Sequence, residues 1–424
     1  MIKNLLNLAK ENNIELEIRK EREKTTSIET YNDRVNEYEA HDITTYSIKA
    51  IYNGKTIKIE TENINDSNKI INIIKEQSKI IDNNDKDSLA TTKEKLQSVK
   101  KEVEYDYQQI KNDMLSFIYL KEKYNTLVAI SAAFGSVENE IGIYNTLGTD
   151  IEDFNNYNYC MAEVVLDFNG VNKTNYRYFY DKKYNKEKFK NLVEELIKEA
   201  IDKEKSDSLE TKKYNILLDS RCTSQLLNHF SSIYMAEEIN KNKSILTNKF
   251  NEKVFSDIIT IVEDPTNESY IGKRIFDDEG TKTCYKEIIK DGVFVTKLYD
   301  NKSALKDNVK STGNSFGTRN MYIVPGILDK DALLNKLDNG IYINSIEGLH
   351  AGVNKTTGDI SLQAEGYIIE NGKKKQSLNM IILSTNIFEL FNNVIEVGND
   401  LEFISKQGSA PSLLINDITI AGNK

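Results

Sequence analysis

Histidine occurs at His41, His229 and His350 only, so every zinc or triad arrangement in this 424-residue chain can be enumerated. His229 lies in a run from about Ser220 to Asn240 in which Leu226, Phe230 and Ile233 recur at helical spacing. A helical metal site needs a second ligand three or four residues away, as in HExxH, because those positions share one face. Gln225, Leu226, Ser232 and Ile233 occupy those offsets, and none is a normal zinc ligand. Cys222 shares the face, but at about 1.5 Å of rise per residue it stands roughly 10 Å along the axis. His229 therefore reads first as a partly buried helix histidine.

Other short motifs stop short of a complete site. Gly54-Lys55-Thr56 imitates the end of a phosphate-binding loop but lacks the earlier glycine and sits inside a hairpin signal. Gly313-Asn314-Ser315-Phe316-Gly317 fits GxSxG, with His350 downstream as a conceivable base, yet its surroundings read as a glycine-rich loop among hairpins. Asp277-Asp278-Glu279-Gly280 could offer oxygen ligands to a hard cation, although adjacent carboxylates before glycine are the ordinary composition of a solvated turn.

The elements that must position these residues follow from pattern and composition. At about 150 residues per domain the length suits two or three domains. Hydrophobic residues at 39% and charged residues at 29% are those of a folding chain. The net charge of −10 disfavours direct binding to nucleic acid. Three dispersed cysteines, Cys160, Cys222 and Cys284, fit a reducing, cytoplasmic setting. The N-terminal pattern meets Lys10 and Glu11 too early for a secretion signal, and no apolar run approaches the roughly 20 residues of a membrane span.

Ile2, Leu5, Leu6 and Ala9 predict a helix, and Ile14, Leu16 and Ile18 predict a strand. A type I′ turn at Asn53-Gly54 would pair residue 50 with 57 and 48 with 59. Ile70 to Ile81 predicts a helix, and the charged stretch from Asp82 to Tyr105 an exposed helix or connector. Four strands are expected between Thr126 and Tyr180 (VAISAAF, EIGIYN, CMAEVVLDF and YRYFY), separated by Gly- and Asn-containing turns, and a helix over Phe189 to Ile201. The segment Asp202 to Lys213 is the best linker. In the second half, hairpin signals at Asp291-Gly292, Asn339-Gly340 and Asn371-Gly372 predict mainly antiparallel sheet. Two helices are expected there, one over 220–240 and one starting at Asn386, with Glu389 reaching back to complete a capping box and an end before Gly398. The class is α+β. A strand-rich region over 1–208, with sub-regions of about 1–84 and 120–208 joined by a charged connector, precedes a β-rich domain with a few packed helices over 213–424.

Several second-half motifs, taken together, resemble the TldD/PmbA family, described as zinc peptidases and modulators of DNA gyrase, and most closely its PmbA (TldE) branch. They are Asp264-Pro265-Thr266, Phe276 to Gly280, Lys310 to Asn314, Gly352-Val353-Asn354 with Thr357-Gly358-Asp359, Gly366-Tyr367 with Glu370-Asn371-Gly372, Val397 to Leu401, and Ala410 to Ile415. Ile143 to Gly148 carries a looser likeness in the first half. The resemblance implies a subunit that pairs with a TldD-type partner, whose zinc helix reads HExxxH, to cleave small or unfolded peptides. Here Phe230 stands where the Glu would be and Tyr234 where the second His would be, so His229 is the sole remnant of the motif. The expectation is therefore a cytoplasmic PmbA/TldE-like subunit without catalytic residues or metal of its own, with zinc in the partner and a homodimer when isolated. Ser311, Thr312, Gly313, Asn314, Gly352, Val353, Asn354, Gly358 and Asp359 are the expected peptide-facing residues. The competing readings are a stand-alone metallopeptidase, using His229 or His350 with Asp277 or Glu279, and a non-enzymatic regulator of the gyrase-modulator type.

Overall fold

The computed structural model describes residues 1–82, 88–101 and 103–423. Helix α1 (Ile2–Glu11) leads into β1 (Glu15–Tyr31), which pairs antiparallel with β2 (Arg34–Tyr52). The Asn53-Gly54 turn then returns the chain as β3 (Lys55–Thr61), with Ala50 opposite Ile57 and Ile48 opposite Ile59, the expected register. Helix α2 (Ser67–Ile80) packs with α1 over Ile18, Ile48 and Ile57. Helices α3 (Tyr107–Ser116) and α4 (Leu120–Lys123) precede β4 (Leu127–Asn145), β5 (Asp150–Phe168) and β6 (Val171–Asp181). These strands form one sheet in the order β3-β2-β1-β4-β5-β6. Helix α5 (Lys186–Glu204) buries Phe189, Leu192, Val193, Leu196 and Ile197 against it.

Two first-half expectations are corrected. VAISAAF and EIGIYN are halves of one 19-residue strand, and Gly135 between them is no turn. A Cβ there would lie 2.3 Å from the Tyr159 ring on β5, so the glycine admits a cross-strand aromatic. CMAEVVLDF is likewise the second half of β5. Over 82–105, expected as an exposed helix or connector, residues 83–87 and 102 lie outside the described residues and the rest is connector, though not wholly exposed. Its Ala90 and Leu96 are buried against Ile143, Ile151 and Phe276.

The second half opens with β7 (Lys212–Leu218), α6 (Ser220–Phe230), α7 (Ala236–Asn240), β8 (Ile261–Glu263), β9 (Lys286–Lys290) and β10 (Val293–Phe294). It continues with α8 (Asn301–Asp307), β11 (Met321–Ile323), α9 (Lys330–Leu337), β12 (Gly340–Glu347) and α10 (Leu349–Gly352). It closes with β13 (Asp359–Glu370), β14 (Lys373–Asn386), α11 (Ile387–Asn392), β15 (Val394–Val397), β16 (Gly408–Ser409) and β17 (Leu413–Ala421). One sheet runs β14-β13-β12-β7-β17-β15, and β14 also pairs with β17, so the sheet curls back on itself around its core. A smaller sheet runs β10-β9-β8-β11-β16. The class is α+β, as expected.

The hairpins at 291 and 371 form, but Asn339-Gly340 does not make one. It joins α9, capped by the Asp329 side chain, to β12, which pairs parallel with β7. The helix expected over 220–240 breaks at Met235, because the Ala236 N–H donates to the Leu298 carbonyl at 2.8 Å instead of continuing the helical ladder. Asn386 does cap α11 through the Phe388 N–H, whereas Glu389 accepts from the Thr385 hydroxyl at 3.0 Å and closes no capping box. The supposed linker is docked: Asp207 exchanges backbone hydrogen bonds with Ser377 and Asn379, and Leu209 is buried.

Candidate functional site

The buried end of β7, Ile216 to Leu218, delivers the chain to Asp219, which caps α6 by accepting from the Arg221 N–H at 3.0 Å. This places the head of α6 opposite α5 and β6, and between them lie two confluent cavities of about 490 and 340 Å3. Arg177, Glu199, Arg221 and Asn344 line both. In the larger one the Asp219 carboxylate accepts from Lys330 Nζ at 2.7 Å and from the Tyr342 hydroxyl at 2.5 Å. Burial alone would raise this carboxyl, but Lys330, Tyr342 and the capping N–H together hold it at about 2. Burial and then Asp219 push the Tyr342 phenol well above its usual value. Tyr342 stacks on Tyr367 at a 16° interplanar angle, and Lys374 Nζ sits 4.1 Å from the Tyr367 ring centre.

The two arginines of the cleft differ. Arg177 is engaged by Glu199 at 2.7 Å and Glu195 at 3.6 Å. Among the described residues Arg221 pairs only with Glu402, at 3.9 Å, and Glu402 is held more tightly by Lys188 at 2.7 Å. Burial, then repulsion from Arg177, lowers the Arg221 pKa.

Along α6, Cys222 and Gln225 continue the wall of the smaller cavity, and His229 follows one turn on. His229 is half-buried, and burial followed by the Lys355 ammonium lowers its pKa. Phe230 and Tyr234 turn the other way, each 1% exposed within the main core. The two positions the resemblance gives to zinc chemistry are thus packing positions. Among the described residues no three His, Cys, Asp or Glu side chains converge to hold a metal.

The remaining candidates scatter. His41 is exposed on β2 and His350 is exposed on α10. Asp277 is no solvated turn residue: it is fully buried and accepts from the Glu279, Thr281 and Ser315 N–H groups, while Glu279 accepts from the Asn301 N–H. Ser315 donates no proton to a histidine there; its hydroxyl accepts from the Glu279 N–H at 3.2 Å.

The two predicted loops are anchored apart. Ser311 donates to the Tyr299 carbonyl, Thr312 to Asn314, and Asn314 to both oxygens of buried Glu263, which Lys286 pairs at 2.8 Å. A Cβ on Gly313 would stand 2.9 Å from the Lys282 carbonyl, and one on Gly352 2.2 Å from that of Ser361. In the second loop, Val353 packs on the core, the Asn354 side chain accepts from Thr356 and Thr357, Gly358 donates to the Asn354 carbonyl, and Asp359 accepts from Thr357 and Asn386. The Lys355 ammonium of this loop acts electrostatically on His229. The cleft itself, centred on Asp219, Lys330, Tyr342, Arg177 and Arg221, escapes a reading of sequence; its one local signal is the capping Asp219 between an apolar strand and an amphipathic helix.

Residues 211–422, half of the chain, match the PmbA/TldA metallopeptidase C-terminal domain. The metalloprotease PmbA homologue of Buchnera aphidicola from Acyrthosiphon pisum is 29% identical over 232 residues, covering 55% of this chain and 51% of that protein. Metalloprotease PmbA of Escherichia coli O157:H7 is 28% identical over 214 residues, covering 50% and 47%. These matches span about half the length of the curated relatives. A candidate modulator of a DNA gyrase from Thermotoga maritima superposes over 99% of both chains with a TM-score of 0.86 at 25% identity. TldE from Thermococcus kodakarensis shares the fold over 99% of this chain and 100% of its own, with a TM-score of 0.85 at 19% identity. On the strength of that family match, the chain belongs to the TldD/PmbA family.

Proposed function

We propose that this chain is a PmbA/TldE-like accessory subunit of a peptide-processing system, with the zinc supplied by a TldD-type partner. One observation carries the proposal: Phe230 and Tyr234 point into the core, which among the described residues leaves His229 without a second metal ligand on α6. A catalytic zinc takes three protein ligands and keeps a position for water. The role of this chain is then to present peptide, with the cleft between α5, β6 and α6 as its path and the Gly352 to Asp359 loop as one peptide-facing surface. The Ser311 to Asn314 loop belongs to the same proposal as a second peptide-facing surface. A reducing compartment is part of the reading, in keeping with the free thiols of Cys160, Cys222 and Cys284.

Reconstitution tests it. A TldD-type protein, which carries the HExxxH helix, is assayed on a fluorogenic unfolded-protein substrate with and without this chain. Faster hydrolysis in the mixture, with co-elution of the two proteins, is the expected outcome. Identical rates and separate elution would contradict an accessory subunit.

A further inference from the structure

We propose that Arg221 is the seat for the C-terminal carboxylate of a short peptide lying along α6, a proposal that rests on the peptide-processing reading. The Arg221 side chain is only 22% exposed, yet among the described residues its sole ion-pair partner is Glu402 at 3.9 Å. The neighbouring Arg177 shows what a satisfied guanidinium looks like in this cleft, with one carboxylate at 2.7 Å and a second at 3.6 Å. A guanidinium presents five donors in a planar fork that matches a carboxylate. With its counter-charge at 3.9 Å, beyond hydrogen-bond distance, the fork can take an incoming carboxylate through charge-assisted hydrogen bonds.

The position of Arg221 specifies the rest of the ligand. It lines both cavities, and the smaller one runs from it past Cys222 and Gln225, between β6 and β12. Strand β6 is the last of its sheet, so its outer edge offers main-chain groups to an extended peptide. Acidic side chains outnumber basic ones in the larger cavity, which repels a dianionic phosphate more than a ligand with a single negative end. A peptide terminus meets both conditions.

The test is equilibrium dialysis of the full-length protein against a pool of random tetrapeptides, in parallel with the same pool amidated at its C-termini. The free-acid pool should be retained about 10- to 100-fold better, the range expected for a charge-assisted contact. Arg221→Gln should retain both pools alike with its melting temperature unchanged, because the guanidinium has no close partner to lose. Arg221→Lys, which keeps the charge without the fork, should keep part of the preference. Equal retention of the two pools by the unaltered protein would overturn the carboxylate seat while leaving peptide binding intact. Retention of neither would overturn both, and a preference that survived Arg221→Gln would refute the assignment to this residue.

Discussion

Asp219 shows how one side chain can cap a helix and organise a cleft. Its folded pKa of about 2 lies below the ordinary value of 3.8, so its stabilisation is present above pH 4 and is lost as pH falls towards 2. The shift corresponds to about 2 kcal/mol. Asp219→Asn should cost about 2–4 kcal/mol in urea unfolding at neutral pH, because Lys330 loses its buried counter-charge. The variant should also lose part of the acid sensitivity between pH 4 and 2; an unchanged pH profile would contradict this role for the carboxylate. Asp219, Lys330 and Tyr342 could not be linked from sequence, since 111 and 123 residues separate the aspartate from its two partners. The parallel pairing of β7 with β12 brings Tyr342 to Asp219, and α9 packed on β7 brings Lys330. His229, by contrast, was legible as a half-buried helix residue, because the periodicity that defines its face is local.

Among the elements, the hairpin at Asn53-Gly54 was readable to the residue because a two-residue turn and the pleat fix register together. The long strands were not. A 19-residue strand is far beyond the usual five or six, so Gly135 looked like punctuation when it is a gap filled by Tyr159. Gly135→Ala should destabilise by about 1–3 kcal/mol, with much of the loss restored in combination with Tyr159→Ala. Additive losses in chemical denaturation would contradict that packing. Asn339-Gly340 misled for the opposite reason: the same dipeptide serves equally after a helix, and α9 supplied one. The Asp202 to Lys213 segment, polar enough to read as a linker, is pinned through Asp207 and Leu209. Trypsin should therefore spare Lys205 and Lys212 under native conditions, and an early cut there, seen by mass spectrometry, would show the docking to be weak.

At the scale of the molecule, helix α5 couples the two halves. Its Glu199 and Asp202 reach Asn344 and Tyr367, and Lys203 pairs with Glu365 at 2.5 Å. The cleft that results has its walls in both halves, which is why no stretch of sequence announced it. The family was legible, because its loop and turn motifs recur in order through the second half, and the match over 211–422 agrees. Helix α6 is turned with Phe230 inward, so that among the described residues His229 has no second metal ligand on the helix. The central claim, that zinc chemistry belongs to a partner, is tested most directly by metal analysis of the purified, partner-free chain alongside a peptidase assay. The account predicts zinc well below one equivalent and no chelator-sensitive hydrolysis. Stoichiometric zinc, with peptidase activity that disappears in His229→Ala, would contradict it.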